Sequence, residues 1–535
     1  MEKIAHHTPL SGLIGDFRLS KDRLIRGVRF SAPIIDYKPD EVYSSIGILG
    51  GGTAGYFAAL ALNKFTNIPI TVIESSKIPV IGVGEATTPA IQHFLFHVLG
   101  FDKKDFYEKV APTWKLGIKF DWGLPGDYFF NYPFGETDIL SAYLLNRNIN
   151  YCSLTSLLMS KDTSFVLKHP DGEVHSLSSD LLYAYHLDNK KLIHYLKEKA
   201  VERGVTFLDL EIKDATLLPN ANGINELITH KGEKLHFDFY VDCSGFASFL
   251  LEQKLVSPYI SYKDSLITDR AIVATVPNEA SVKPYTLAET MNHGWCWKIP
   301  LRHEDHRGYV FSSDFCSDEE AYAEMLSKNP NMERDAKIVK FRSGRHQHFI
   351  KGNVAAVGNS YAFVEPLEST GLHMIIHEVS VLVNNIIKFR KAPQLTDLIN
   401  KEMNAHWDYL RWFLAIHYKF NKKLNTEFWV TNREEVDISG IEPLVKLYQE
   451  VGLLSRQEHY LSSFIKKETH DFLFDLHGID HILLGQAVLP GKIYQMTLPQ
   501  PDKWKASTEI WEKILLFTVP LREDLEILLA NPHLI

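Results

Sequence analysis

Glycines 50, 52 and 55 in Ile46-Gly47-Ile48-Leu49-Gly50-Gly51-Gly52-Thr53-Ala54-Gly55 have the spacing G-x-G-x-x-G. The first permits a tight turn, the second lets the main chain approach a pyrophosphate, and the third lets a helix pack close to a strand. Thr53 and Ala54 open that helix, whose unpaired amides and positive dipole end suit a diphosphate. A glycine-rich turn without a ligand has the same local spelling, so the next strand decides. An apolar strand is predicted over Ile68–Ile73 and ends in Glu74. An acid about twenty residues past the last glycine is placed to accept hydrogen bonds from a ribose 2′-hydroxyl. Strand, turn, helix, strand and acid together predict an adenine-dinucleotide site.

Other stretches carry similar punctuation. Ile78 to Thr87 has glycines at 82 and 84 and leads into an amphipathic helix bearing Ile91, Phe94, Leu95, Val98 and Leu99. Two glycines one residue apart imply that the backbone approaches something closely. Phe237–Gly245 and Val354–Ser360 read as strands running into small-residue turns, the second at Gly358. Phe363 to Gly371 precedes a long helix from Leu372 to about Phe389, with Ser369 or Thr370 the expected N-cap. Free amides at such a helix start suit an anion or the edge of a flavin ring.

The elements between these loops are less specific. Thr113–Phe120 alternates, which predicts one strand with Trp114, Leu116, Ile118 and Phe120 inward and Lys115 and Lys119 on the surface. Tyr128–Phe134 is aromatic enough to be either core or the wall of a pocket for a flat ligand. Trp295 and Trp297 share a face of a short strand and read as a core pair. A helix is predicted over Leu187–Ala200, and from about 395 onward the chain reads as mainly helical.

With 535 residues and 45% hydrophobic content, the chain can bury a large core. A formal net charge of −9 gives no reason to expect nucleic acid or an anionic membrane as partner. Cys152, Cys243, Cys296 and Cys316 are too scattered for a disulfide framework and lack metal-ligand spacing, so an intracellular, cytoplasmic setting and no metal are expected. The N-terminus has no apolar signal-peptide core, and no apolar run is long enough to span a bilayer. Arg18, Lys21, Arg23, Arg26 and Arg29 make the N-terminal segment a basic extension, read as a surface arm or subunit contact.

Recurrent strand–glycine–helix units suggest an α/β fold, an FAD-binding domain of the aromatic-hydroxylase type. Further motifs narrow the field. Trp295-Cys296-Trp297-Lys298-Ile299-Pro300 resembles the W-x-W-x-I-P signature of flavin-dependent halogenases, and Phe363-x-x-Pro366-x-x-Ser369-x-Gly371 is similar to their F-x-x-P-x-x-S-x-G. Ile81–Thr87 resembles their flavin strap. Gly50–Gly55, Asp242-Cys243-Ser244-Gly245 and Thr426-Glu427-Phe428-Trp429 also fit the tryptophan-halogenase-like branch. The resemblance runs from about residue 46 to about 490, and the N-terminal extension lies outside it.

The resemblance implies an FAD-binding module over 45–395, with part of a substrate pocket inserted at about 120–155. It also implies a mainly helical substrate module over 396–535 and leaves 1–44 as an extension. Gly82, Val83, Gly84, Glu85, Ala86, Thr87 and Gly358 would join the first loop in holding FAD. Lys115 takes the position of the catalytic lysine, Glu368 that of the catalytic glutamate, and Thr370 and Gly371 those of the halide-binding amides; Lys119 keeps its structural reading. Phe130, Asn131, Pro133, Phe134, Ser369 and Phe474 would line the substrate pocket. The implied reaction uses reduced FAD, O2 and chloride or bromide to make hypohalous acid, which crosses to Lys115 and Glu368 and halogenates an aromatic substrate. A separate NAD(P)H-dependent flavin reductase would supply the reduced FAD, and a homo-oligomer is possible. The stretch 471–481 has no tryptophan or tyrosine to grip a free amino acid, so indoles and phenols at large are expected substrates rather than free tryptophan alone. A flavin aromatic hydroxylase, with substrate directly over the flavin, is the alternative, and a flavin-binding protein without chemistry is a third class.

Overall fold

The computed structural model of the protein describes residues 29–30, 43–78, 84–278, 281–389, 392, 394–459, 461, 463–465, 473–491, 499–531 and 534. β1 (Ile46–Leu49) breaks at Gly50, where φ is +121°, a conformation that glycine adopts without strain. α1 (Thr53–Phe65) follows, its Ala/Leu-rich body wholly inside the core, and the chain returns along β2 (Ile70–Glu74). These strands belong to a six-stranded sheet ordered Thr206–Asp209, β2, β1, Phe239–Asp242, Val354–Ala356, Ile350–Lys351. All its pairings are parallel except the last. Gly55 brings α1 onto the β1 turn so closely that a Cβ there would lie 1.9 Å from the Gly50 carbonyl oxygen. Gly55→Ala is therefore expected to lower stability by about 1–3 kcal/mol, overpacking outweighing the ~1 kcal/mol gain in helix propensity. A thermal melt reads this directly, and a Tm at or above that of the parent protein contradicts it.

β3 (Gly84–Ala86), β4 (Thr113–Lys115) and β7 (Ala184–Asp188) form a small antiparallel sheet with β7 in the middle. β5 (Gly117–Asp121) and β6 (Phe130–Pro133) lie instead at the edge of a seven-stranded sheet. There β5 pairs in parallel with β8 (Thr286–Met291), which pairs antiparallel with β9 (Gly294–Pro300). The strand predicted over Thr113–Phe120 is thus two strands. They part at Leu116, whose N–H donates to the Pro284 carbonyl and whose carbonyl accepts from the Phe134 N–H. The break corrects the surface assignment of Lys115. β4 is covered on both faces and Lys115 is 0% exposed, whereas Lys119 is half-buried, its ammonium 4.0 Å from the centre of the Phe129 ring.

α2 (Gly371–Phe389) is followed by α3 (Gln394–Phe420), and α4 (Leu476–Gly485) packs on α3. The last segment folds back on the first half of the chain. Thr518–Pro520 pairs with Thr163–Lys168, and α5 (Leu521–Ala530) inserts Asp524 to accept hydrogen bonds from Trp114 Nε1 (2.9 Å) and the Val166 N–H. The helix predicted at Leu187–Ala200 runs Asn189–Glu202, capped by the Asp188 carboxylate. Most of the basic extension lies outside the described residues. Of the part described, Phe30 stacks on Phe65 at 5.2 Å and the Arg29 carbonyl accepts from the Asn384 amide. Among the described residues no helix is long and apolar enough to cross a membrane.

Candidate active site

A cavity of about 340 Å³ opens above the β1 turn. It is lined by Gly52, Thr53 and Ala54, by β3, by Gly358, and by Ser369, Thr370 and Gly371 at the start of α2. Nothing lies within 4 Å of where a Gly52 Cβ would be, so the helix N-terminus faces open space, as a diphosphate requires. Gly84, Glu85 and Ala86 of the strap line the same cavity, while Gly82 and Val83 lie outside the described residues. These residues fit an extended dinucleotide. Glu74 is already engaged, accepting from the Tyr56 hydroxyl and paired with the Lys197 ammonium. Each carboxylate oxygen keeps a second lone pair for a ribose hydroxyl.

The turn Pro366–Ser369 lends Pro366 and Ser369 to the lining of this cavity and Glu368 to a second group of side chains. Its Ser369 N–H donates to the Pro366 carbonyl, and Ser369 adopts φ +57°, a left-handed conformation uncommon outside glycine. That conformation is not an N-cap's and the buried Ser369 Oγ has no hydrogen-bond partner, so of the two candidate caps the position falls to Thr370, which directly precedes α2 and whose carbonyl accepts from the Met374 N–H. Ser369 lines the cavity with Thr370 and Gly371. Glu368, on the same turn, is buried, its Oε1 2.7 Å from His417 Nε2 on α3.

Lys115 reaches the same group from β4. Its ammonium donates to the Thr87 carbonyl at 2.9 Å and lies 5.2 Å from the centre of the Phe134 ring. Burial pushes its pKa down to about 7, against the pull of the Glu368 carboxylate. Thr87, next to β3, is pinned by three bonds to Tyr185. The strap that lines the cofactor cavity therefore also holds the amine. His186, on β7, joins the two regions as well: its Nε2 is 2.9 Å from the hydroxyl of Thr286, a cavity-lining residue, and the Lys115 charge lowers its pKa further after burial has done so.

The aromatic assignments divide. Phe134 faces Lys115, and Phe474 stacks on Phe413 at 4.0 Å beside His417. Pro133 lies in the β5–β6 pairing opposite Gly117. Phe130 and Asn131 are used in packing. The Phe130 ring stacks on Phe120 and against Gly485, and the Asn131 amide donates to Ser156 and Ser160 in the helix Leu154–Ser160. Of the two signature tryptophans, Trp297 lines the cofactor cavity and Trp295 donates to Glu365.

Glu365 is buried and also accepts from Tyr418 and Thr268, while burial raises its pKa. Glu365→Ala would leave three buried donors unpaired, and is expected to cost about 3 kcal/mol or more, whereas Glu365→Gln should cost less. Chemical denaturation of the two variants separates them, and equal stability would contradict this role. Sequence reasoning missed Glu365, Phe413, His417 and His186. The only signal was the i, i+4 spacing of Phe413 and His417, which reads equally well as helix core.

A family model described as tryptophan halogenase matches residues 45–501. The chain belongs to the tryptophan halogenase family. Tryptophan 6-halogenase SttH of Streptomyces toxytricini is 32% identical over 426 residues, covering 73% of this chain and 80% of that protein. Among solved structures, MibH, a lathipeptide tryptophan 5-halogenase, is 41% identical with a TM-score of 0.87, covering 93% of this chain and 96% of that one. BrvH, a flavin-dependent halogenase from Brevundimonas sp. BAL3, is 28% identical with a TM-score of 0.74, covering 92% and 98%. This tryptophan halogenase family member is an enzyme, a flavin-dependent halogenase acting on an aromatic substrate, and the hydroxylase alternative is not favoured.

Proposed function

We propose that this halogenase uses reduced FAD, O2 and chloride or bromide to make hypohalous acid at the Thr370–Gly371 end of the cavity. Lys115 and Glu368 then direct the halogen onto an indole. The observation that supports the reading is the Pro366–Ser369 turn: Ser369, Thr370 and Gly371 line the cavity, whereas Glu368 pairs with His417 and acts on Lys115 through its charge. Bound reduced flavin supplies the two-electron chemistry with O2 that oxidises the halide. The remaining steps belong to the chain. With a pKa near 7, Lys115 populates both ammonium and amine at neutrality. The ammonium can donate to the hypohalite oxygen and polarise the halogen, and the amine can carry the halogen itself. As the carbon–halogen bond forms, Glu368 stabilises the cationic ring and then takes its proton, returning the electron pair to the ring. Phe134 and the Phe413–Phe474 stack are the candidate walls for a flat ring.

The indole of a tryptophan within a peptide is the favoured substrate. Two facts support it: the likeness to MibH and the absence of tryptophan or tyrosine from 471–481. A separate flavin reductase supplies the reduced FAD in this scheme. The test gives purified protein a reductase, NADH, FAD and bromide, with tryptophan-containing peptides, free tryptophan, indole and phenols. Mass spectrometry then looks for the bromine isotope doublet. Brominated peptide is expected. A product that gains only oxygen, or no flavin-dependent product, overturns the reading, and bromination confined to free tryptophan overturns the peptide assignment.

A further inference from the structure

The contacts of His417 determine where its protons lie. Its Nδ1 is 2.8 Å from the Phe413 carbonyl, a pure acceptor, so Nδ1 carries a proton. A flipped ring would set carbon atoms against both acceptors, so the orientation is fixed by its neighbours. Nε2 then has no proton of its own when the ring is neutral, yet it lies 2.7 Å from Glu368 Oε1. A contact that short needs one proton between the two atoms, which makes the pair either imidazolium with carboxylate or imidazole with carboxylic acid. Imidazole ordinarily holds a proton about two pH units more tightly than a carboxylate. Lys115, the other cation in the field of Glu368, is pushed by its own burial toward the amine.

We infer that His417 is the counter-charge of Glu368, a positioning residue whose imidazolium keeps that carboxylate ionised and ready to take the proton of the halogenated ring. The inference rests on the roles proposed for Lys115 and Glu368. When the ring C–H bond breaks, its electron pair returns to the arene and the proton goes to the free oxygen of Glu368. His417 keeps its own protons, because Nδ1 is held by Phe413 and cannot pass one on. Glu368 therefore discharges by the side from which it was loaded, and Lys115 is spared the role of permanent partner to the carboxylate.

The test compares the parent enzyme with His417→Gln and His417→Asn. Glutamine keeps a neutral N–H donor toward Glu368. Asparagine keeps the donor toward Phe413 and loses Glu368. Each is assayed for bromination of substrate carrying hydrogen or deuterium at the halogenated carbon, across pH, once FAD binding shows the variant folded. Both variants should lose about 10²-fold in kcat with KM little changed. A primary deuterium isotope effect absent in the parent should emerge, and the acid limb of the pH profile should move to higher pH as Glu368 holds its proton more tightly. Parent-like kcat, isotope effect and acid limb in either folded variant overturn the inference. A parent enzyme that brominates no arene overturns the roles of Lys115 and Glu368 themselves, which separates the two failures.

Discussion

Lys115→Ala should abolish halogenation while the protein still oxidises reduced flavin with O2. The amine touches no group lining the dinucleotide end of the cavity; its described hydrogen bond is to the Thr87 carbonyl, and its other neighbours are Phe134 and the field of Glu368. Losing a positioned acid or electrophile carrier typically costs 10²–10⁴ in rate, enough to leave product undetectable. Flavin oxidation and brominated product, followed in one vessel, check this, and near-parental turnover refutes the role. A second variant tests the burial argument. A lysine with a folded pKa near 7 and an unfolded one near 10.5 is protonated more readily in the unfolded chain between those values. Stability from this group is therefore lost as pH falls from about 10.5 to about 7, on the order of 4 kcal/mol at neutrality. Lys115→Met, which fills the same space without charge, should melt at a higher temperature than the parent at pH 7. The gap should shrink toward pH 10. An inactive variant that melts lower at pH 7 would mean the amine is not desolvated as described.

Glu368→Gln is the second large effect. The amide fills the carboxylate's volume and can still meet His417, so the turn and α3 should hold their places. What disappears is the negative charge facing the cationic ring and the acceptor for its proton. The expected loss in kcat is again about 10²–10⁴, with KM within a few-fold of the parent. Steady-state kinetics with the brominated product as readout decide the matter, and a loss smaller than tenfold would move the base elsewhere.

The dinucleotide half was legible because its chemistry is spelled locally: Gly50 needs its left-handed turn and Gly55 its contact with Gly50, and both needs are written within six residues. The group around Lys115 and Glu368 was not. Lys115 looked exposed because alternation reports one sheet with one wet face, and a sheet change at Leu116 has no mark in the sequence. Family resemblance, not periodicity, singled it out. Glu368 was singled out the same way, but its partner His417 lies far along the chain on α3 and looked like another core residue. Phe130 and Asn131 were drawn into the pocket because they sit in an aromatic run. Pairing with β5 turns one toward Phe120 and the other toward Ser156. Sequence order carries no record of that choice.

Thr87 links the cavity to the amine: it follows the strand that lines the cavity and its carbonyl accepts from the Lys115 ammonium. Equilibria joined through one peptide obey reciprocity. An arene whose arrival alters the hold on that carbonyl must change the affinity for FAD by some factor, and FAD must then change the affinity for the arene by the same factor. Titrating either compound at saturating and at zero concentrations of the other would give that factor twice, by independent routes.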